Sequence, residues 1–341
     1  MKAGVYMMTE NHTVKIIREL YDIEGDCELV RAEEHWGGRN LVYICRSHGE
    51  PLSIVRVSAT GDRREEDYLA ETEYVHYLAE GGAAVADVIP SKNSRLVEKL
   101  AVDGTDIFIS RFEYAKGILL ADNGYRYREG HPLSEYFHNI GAALGRIHAL
   151  SKKYQPKHRR ADYFDKYNMS YIDCLISDSY AALKRAMANR IEKFMTLPRD
   201  DSSYGLVHFD YSDGNYHIDM SSGKITVFDF DNSMYCWYMF DLANLWTHGE
   251  GWCMGENDPE KRRAIMNDYF SSVLDGYKEE TDLSEEMLKE LPLFIDMVLI
   301  ENIVDEFECC RRAGEEVDYE DIEDAAECLV NNIPFAGIIE V

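Results

Sequence analysis

Residues 206–233, LVHFDYSDGNYHIDMSSGKITVFDFDNS, crowd acids and an asparagine at the ends of two apolar runs. Asp210 follows a strand-like segment and a His, and Asn215 comes five residues later, just past a Gly that permits a tight bend. YHI and ITVF read as short partner strands joined by SSGK. Their pairing brings Asp229 near Asn215 although fourteen residues separate them. Asp and Asn supply compact oxygen ligands suited to magnesium. Asp210, on the neighbouring loop, is placed to take a proton from an attacking hydroxyl. A cation on the phosphates and a base beside the acceptor are what phosphoryl transfer requires. Each residue taken singly also suits an ordinary turn; the ordered set HxDxxxxN, turn, apolar strand, DFD is harder to explain as loop capping. Carboxylate clusters serve two-metal hydrolysis as well, which stands as a competing chemistry.

The elements that must hold these groups divide by composition. The first third is strand-rich: LVYIC and PLSIVRV read as adjacent strands after the HWGGRN loop, and ETEYVHYLAEGG (71–82) as a helix closed by Gly-Gly. SRLVEKLAV and TDIFISRFEY follow, parted by Asp103-Gly104, a hairpin turn signal. After residue 117 the period becomes helical in EYFHNIGAALGRIHALSKKY and DSYAALKRAMANRIEKFMTL. Small residues at 141–143 and 145 predict close helix packing, and His148 reads as structural. Beyond residue 230 the chain reads as helical nearly to its end. The predicted fold class is α+β, with a strand-rich lobe over 1–112 and a mostly helical lobe over 113–341.

The 341 residues suffice for two lobes, and 45% hydrophobic content excludes general disorder. The formal charge of -27 argues against nucleic acid or an anionic membrane as partner, yet leaves room for a small anion held by local cations or a divalent metal. No run approaches the ~20 apolar residues of a membrane span. The first residues lack a signal-peptide core. The eight cysteines contain no CxxC pair, which argues against zinc and for a cytoplasmic chain with free thiols. The oligomeric state is left open.

HFDYSDGN followed by ITVFDFDNSMYCWYMFDLA resembles the signature of the aminoglycoside phosphotransferase and choline kinase superfamily, and is similar to the catalytic and magnesium-binding segments of protein kinases. The resemblance covers roughly residues 30–250. It implies a protein kinase-like bilobal fold, ATP and Mg2+ as cofactors, Asp210 as catalytic base, and Asn215 and Asp229 as metal ligands. His208 matches the loop histidine that supports the catalytic segment, and Asp241 in FDLA matches a scaffold acid. Phe209 departs from the pattern, since many relatives have Gly there. Asp231 reads either as a further carboxylate near the metal or as a cap for the next segment of chain. Upstream, Gly37 and Gly38 in WGGRNLVY resemble the nucleotide loop. Arg56 takes the position of the phosphate-contacting strand residue, often Lys in the family. Glu71 matches its ion-pair partner. FISRFEYAKG resembles the hinge that contacts adenine through its backbone, with Arg111, Phe112 and Glu113 in the implied stretch.

The acceptor must be read from the C-terminal third. In LPLFIDMVLIENIVDEFECCRRAG, Glu301, Asp305 and Glu308 share one helical side with Phe294, Met297 and Val298. That face suits a cationic amino sugar or amino alcohol, aided by cation–π contacts; alternatively it projects into water. WTHGEGWC (246–253) either packs or walls the acceptor pocket. The favoured reading is ATP-dependent phosphorylation of a small-molecule hydroxyl. A bacterial Ser/Thr protein kinase of the same fold and a nucleotide-binding regulator without transfer are the alternatives, and ATP over GTP stays open.

Overall fold

The computed structural model describes residues 9–33, 40–58 and 63–335. Gly37 and Gly38 therefore lie outside the described residues. The chain divides into two units, Met1–Lys116 with Tyr154–Arg160 and Thr226–Phe228, and Gly117–Lys153 with Ala161–Ile225 and Asp229–Val341.

The first unit is a sheet between two helices. Helix α1 (Glu10–Tyr21) leads into β1 (Glu28–Arg31), β2 (Asn40–Ser47) and β3 (Glu50–Ser58), followed by α2 (Glu65–Glu80), β4 (Val88–Ile89), β5 (Glu98–Val102) and β6 (Thr105–Glu113). The order is β1-β2-β3-β6-β4, with β5 also paired to β6, antiparallel throughout. Helix α2 begins earlier than the sequence pattern indicated. Three acids, Glu65, Glu66 and Asp67, occupy its first turn, where the helix dipole favours negative charge. The Asp67 carboxylate also accepts the Arg64 amide at 2.8 Å. The β5–β6 hairpin turns at Asp103 and Gly104 as expected, with φ 48 and 84, the doubly positive pair of a type I′ turn.

Strand alternation sorts the side chains. Val55, Val57, Ile107 and Ile109 face α1 and pack with Ile17, Tyr21, Tyr43 and Cys45. The intervening positions face the other way: Phe108 stacks on Tyr68 of α2 at 4.6 Å, and Arg56 meets Glu71 of α2. Arg111 has the parity of Ile109. Its guanidinium accordingly turns to α1, donating to Ser53 Oγ at 3.0 Å and the Tyr21 carbonyl at 3.3 Å.

The second unit holds α3 (Leu133–Ser151), α4 (Tyr163–Lys166), α5 (Met169–Leu175), α6 (Ala181–Met195), β7 (Tyr204–Val207), β8 (Tyr216–Ile218), β9 (Ile225–Val227), β10 (Met234–Trp237), α7 (Met239–His248), α8 (Pro259–Glu280), α9 (Glu285–Lys289), α10 (Leu291–Ala313) and α11 (Glu323–Asn331). The outer residues of β9, 226–227, group with the first unit. The β8–β9 hairpin forms as the sequence indicates. The β10 strand interrupts the expected helical run and pairs antiparallel with β7, Met234 opposite Val207. At Gly117 (φ 108), a Cβ would lie 2.2 Å from the Ile218 carbonyl oxygen, so only glycine fits where the chain enters this unit. Among the described residues, no helix is long and apolar enough to cross a membrane.

Helices α3 and α8 approach closely through the small residues of α3. A Cβ on Gly141 would sit 1.9 Å from the Val273 carbonyl oxygen, and one on Gly145 2.6 Å from that of Tyr277. Backbone cannot yield as a flexible side chain can. Gly141→Ala is expected to cost about 3 kcal/mol by overpacking, read as a fall in the urea midpoint. An unchanged midpoint would mean that the helices slide apart freely.

Candidate active site

The loop between β7 and β8 is anchored from below by one buried acid. Asp241, in the first turn of α7 and fully buried, accepts the His208 amide through Oδ2 and the Phe209 amide through Oδ1, both at 2.8 Å. His148 Nε2 meets Oδ2 at 3.1 Å, and the opposite ring nitrogen lies 2.9 Å from the Tyr277 hydroxyl. Burial pushes the His148 pKa down. The neutral ring then donates from Nε2 to Asp241 and accepts from Tyr277. Asn244, one helical turn beyond Asp241, donates to the Phe209 carbonyl at 2.7 Å. Its i, i+3 spacing from Asp241 was the signal available in FDLAN, and sequence reasoning missed it.

These bonds hold Phe209 in a backbone conformation that side chains rarely adopt, φ 75. Its ring is stacked on Phe240 (4.5 Å, 3°) and on Tyr167 (5.6 Å, 29°). Here lies the physical meaning of the departure from Gly. A glycine would take this φ without strain, whereas Phe209 takes it under two anchoring backbone bonds and a ring clamp.

Asp210 stands next in the chain. Its carboxyl is raised from 3.8 to about 6, first by burial and then by the charge of Asp229, with hydrogen bonds from Asn215 and Asn232 working the other way. Asn215 also donates through Nδ2 to the Asp210 main-chain carbonyl at 2.8 Å. Asp210, Asn215 and Asp229 are thus brought to one place, as their spacing indicated. Asp229 has φ 62, a second left-handed non-glycine residue in the same site. The adjoining Asp231 is buried in the single turn Phe230–Asn232. The contribution of Asn232 to Asp210 had no sequence signal beyond the DFDN string.

The residues fit a magnesium ion. Burial and the charge of Asp229 raise the proton affinity of Asp210, and no cation is among the main influences on it. A divalent ion would remove that penalty. Among the described residues, no group of three or more His, Cys, Asp or Glu could hold a metal. A partial set of Asn and carboxylate oxygens is what magnesium uses when phosphates and water complete its shell.

In the first unit, Arg56 and Glu71 form a buried two-pronged pair, Nη1 to Oε1 at 2.8 Å and Nη2 to Oε2 at 2.6 Å. The pair that the resemblance implied is therefore present. The Arg56 guanidinium also lies 5.2 Å above the Phe112 ring. The residues expected at the hinge separate: Phe112 shares the Arg56 face, whereas the Arg111 side chain is committed to α1. The Glu113 amide donates to the Asp87 carbonyl at 2.8 Å.

The acidic face of α10 does not simply project into water. Glu301 is raised well above the carboxylate range by burial, by Asp305 and, further down, by Asp210. The Tyr167 hydroxyl donates to Asp305 at 3.2 Å and lies 3.5 Å from Glu301. Lys166 Nζ reaches Asp305 at 2.7 Å and Glu308 at 3.4 Å, and Tyr171 donates to Glu308. Sequence reading found the three acids and missed Lys166, Tyr167 and Tyr171, which lie about 130–140 positions upstream. Trp252 of the GEGWC segment packs against Phe137 at 5.1 Å and Tyr125 at 6.1 Å.

A strand-rich first unit and a mostly helical second one, with an HxDxxxxN loop and a following hairpin acid, define a kinase-like phosphotransferase. The chain belongs to the phosphotransferase enzyme family, whose model matches residues 35–279. A curated amicoumacin kinase of Bacillus subtilis (strain 168) is 28% identical over 261 residues, 75% of this chain and 74% of the relative. Among solved structures, an amicoumacin kinase in complex with AMP-PNP, Ca2+ and Ami superposes with TM-score 0.81 at 21% identity, covering 96% of this chain and 95% of the other. A microcompartment-associated aminopropanol kinase gives 0.66 at 18% identity, covering 93% and 94%. These likenesses agree with the expected superfamily and fold class.

Proposed function

We propose that this enzyme transfers the γ-phosphoryl group of ATP to a hydroxyl of a small molecule carrying an amine, with Asp210 as the base. The observation that carries the reading is the half-buried Asp210, held beside Asn215 and Asp229 on a loop whose backbone is fixed by Asp241. Asp210 orients the acceptor hydroxyl and takes its proton as the oxygen attacks phosphorus; ADP leaves. Asn215 and Asp229 would hold magnesium, which supplies charge compensation on the phosphates when bound. His208 and Asp241 support the loop. Arg56, oriented by Glu71, meets phosphate oxygens, and Phe112 offers an apolar surface to adenine. Gly37 and Gly38 are assigned to the phosphate loop, and Arg111 and Glu113 to the hinge through main chain alone. Most of the acceleration then comes from positioning and fixed charge. We assign residues 1–112 to nucleotide binding and 113–341 to catalysis and acceptor binding.

The amine is inferred from Glu301, Asp305 and Glu308, which meet tyrosine hydroxyls beside the catalytic loop. The amicoumacin and aminopropanol kinases among the relatives support that class of acceptor. The AMP-PNP of the structural relative supports ATP as donor. The test is acceptor-dependent ADP formation with Mg-ATP over pools of amino sugars, amino alcohols, neutral sugars, homoserine and nucleosides. ADP in an amine-bearing pool supports the reading. ADP only with neutral acceptors removes the amine, and phosphate appearing on protein instead favours the Ser/Thr kinase alternative.

Arg56→Met is expected to raise the ATP KM about tenfold, the worth of one charge-assisted hydrogen bond. The stranded Glu71 carboxylate will also lower the melting temperature. An ATP KM within twofold of wild type at full folding would remove Arg56 from the nucleotide site, taking about 0.4 kcal/mol as the smallest readable effect.

A further inference from the structure

Phe209 raises a question that the chemistry of Asp210 does not answer. A strained φ at a residue adjoining the proposed base persists only where its surroundings over-determine it. The backbone bonds from Asp241 and Asn244 fix the main chain of Phe209 from one side. The ring is fixed from another: it lies against Phe240 and against Tyr167. Tyr167 is itself buried, and its ring stacks on Tyr163 at 4.8 Å. Its hydroxyl is the polar end of this aromatic layer. It donates toward Asp305 and accepts from Lys166 Nζ at 2.9 Å. A continuous path of packed groups therefore runs from the acids of α10, through one tyrosine and one phenylalanine, to the residue that precedes Asp210.

We infer that Tyr167 and Phe209 are positioning residues that couple the acidic face of α10 to the loop carrying Asp210. The Tyr167 hydroxyl registers how Asp305 is engaged, and the stacked pair passes that constraint to the loop. An acceptor amine that draws on Asp305 would thereby adjust the loop that must receive its hydroxyl. The catalytic sense of this coupling rests on the proposed phosphoryl transfer; the mechanical coupling does not.

The experiment combines two readouts on the full chain. Hydrogen exchange of the peptide spanning residues 206–215 is compared with exchange in α8 of the same protein, so that a local loosening separates from a global one. Acceptor-dependent turnover is measured in parallel. Phe209→Leu is expected to speed loop exchange about tenfold over the α8 reference, the worth of one well-packed aromatic pair. Its kcat should fall by a similar factor while the ATP KM stays within about twofold. Phe209→Gly keeps the backbone able to reach φ 75 but loses the clamp, and should loosen the loop equally.

Tyr167→Phe keeps the ring and removes only the tether to Asp305. It should speed loop exchange about threefold and raise the acceptor KM. The double variant Tyr167→Phe/Phe209→Leu should exchange no faster than Phe209→Leu alone, because the path is already cut. Unchanged loop exchange in Tyr167→Phe, additive effects in the double variant, or a tightened loop in Phe209→Gly would each overturn the coupling. If the wild type transfers phosphate to no hydroxyl, the turnover arm condemns the functional reading while the exchange arm still decides the coupling.

Discussion

Asp210→Asn is expected to abolish most turnover and, at the same time, to make the protein more stable. The loss of turnover stems from the proposed role: an amide cannot take the acceptor proton, and the fall should be about 10²–10⁴-fold. Nucleotide binding should be largely retained, since Arg56 and the proposed metal ligands Asn215 and Asp229 are untouched. The gain in stability stems from the site as built. The Asp210 carboxyl is raised from 3.8 to about 6 by burial and by Asp229. A folded-state value above the unfolded one means that the native state favours the protonated acid. That contribution is fully present below the unfolded value and is lost as pH rises through about 6. At pH 7.5 the wild type therefore carries an ionised, half-buried acid beside another, at a cost of about 1–3 kcal/mol after allowance for partial exposure. The asparagine variant is free of it. Melting without nucleotide or metal should show Asp210→Asn above wild type at pH 7.5, with the difference vanishing near pH 4. Equal melting at both values would mean that the acid is solvated. Equal loss of ATP binding and turnover would indicate collapse rather than removal of a base.

The second large effect is expected at Asp241. Its two oxygens accept two loop amides and meet His148, with no exposure to water. In Asp241→Asn one acceptor is replaced by an NH2 group, which must face a backbone N–H or the imidazole donor. A buried donor then lacks a partner, and the charge that strengthened all three bonds is gone. The cost should be about 3 kcal/mol. Turnover should fall by about 10² even in the fraction that folds, because Asp210 sits on the displaced loop and small misplacements are expensive. Thermal melting and kcat at a temperature where both proteins are folded separate the two effects. A variant with wild-type melting would show that Asp241 is not the anchor. Wild-type kcat in a destabilised variant would show that anchoring matters for folding alone. The two substitutions form a contrast. They change neighbouring carboxylates in the same way, and stability should rise in one and fall in the other.

Much of this site was legible in one dimension because the chemistry is local. Asp210 and Asn215 share one loop, and a three-residue strand pair returns the chain so that Asp229 arrives beside them. Apolar pieces parted by turn residues predicted the strands, and period 3.6 predicted α3 and α6. Small residues in α3 announced its close approach to α8. The Arg56–Glu71 pair was named through resemblance and stands as a two-pronged bond. Alternation also contained the fate of Arg111: sharing parity with Ile109, it had to turn toward α1. That inference needed to know which face each helix covers.

Other features depended on pairing across long sequence distances. The β10 strand, MYCW, is too short and too aromatic to declare itself before β7 is set beside it. The acids of α10 could face water or the site on a helical projection alone. Tertiary packing brought Tyr167 and Lys166 from another helix and its end to meet them. Phe209 shows the same division. Its identity was read as an oddity at a position where Gly is frequent. Its conformation at φ 75 is held by Asp241, Asn244, Phe240 and Tyr167 together. Sequence by itself determined which atoms can do the chemistry, because residue type and short spacing fix donors, acceptors and charge. Only the tertiary structure decided how strongly each is held and how far its proton affinity moves, because burial and long-range contacts set those energies.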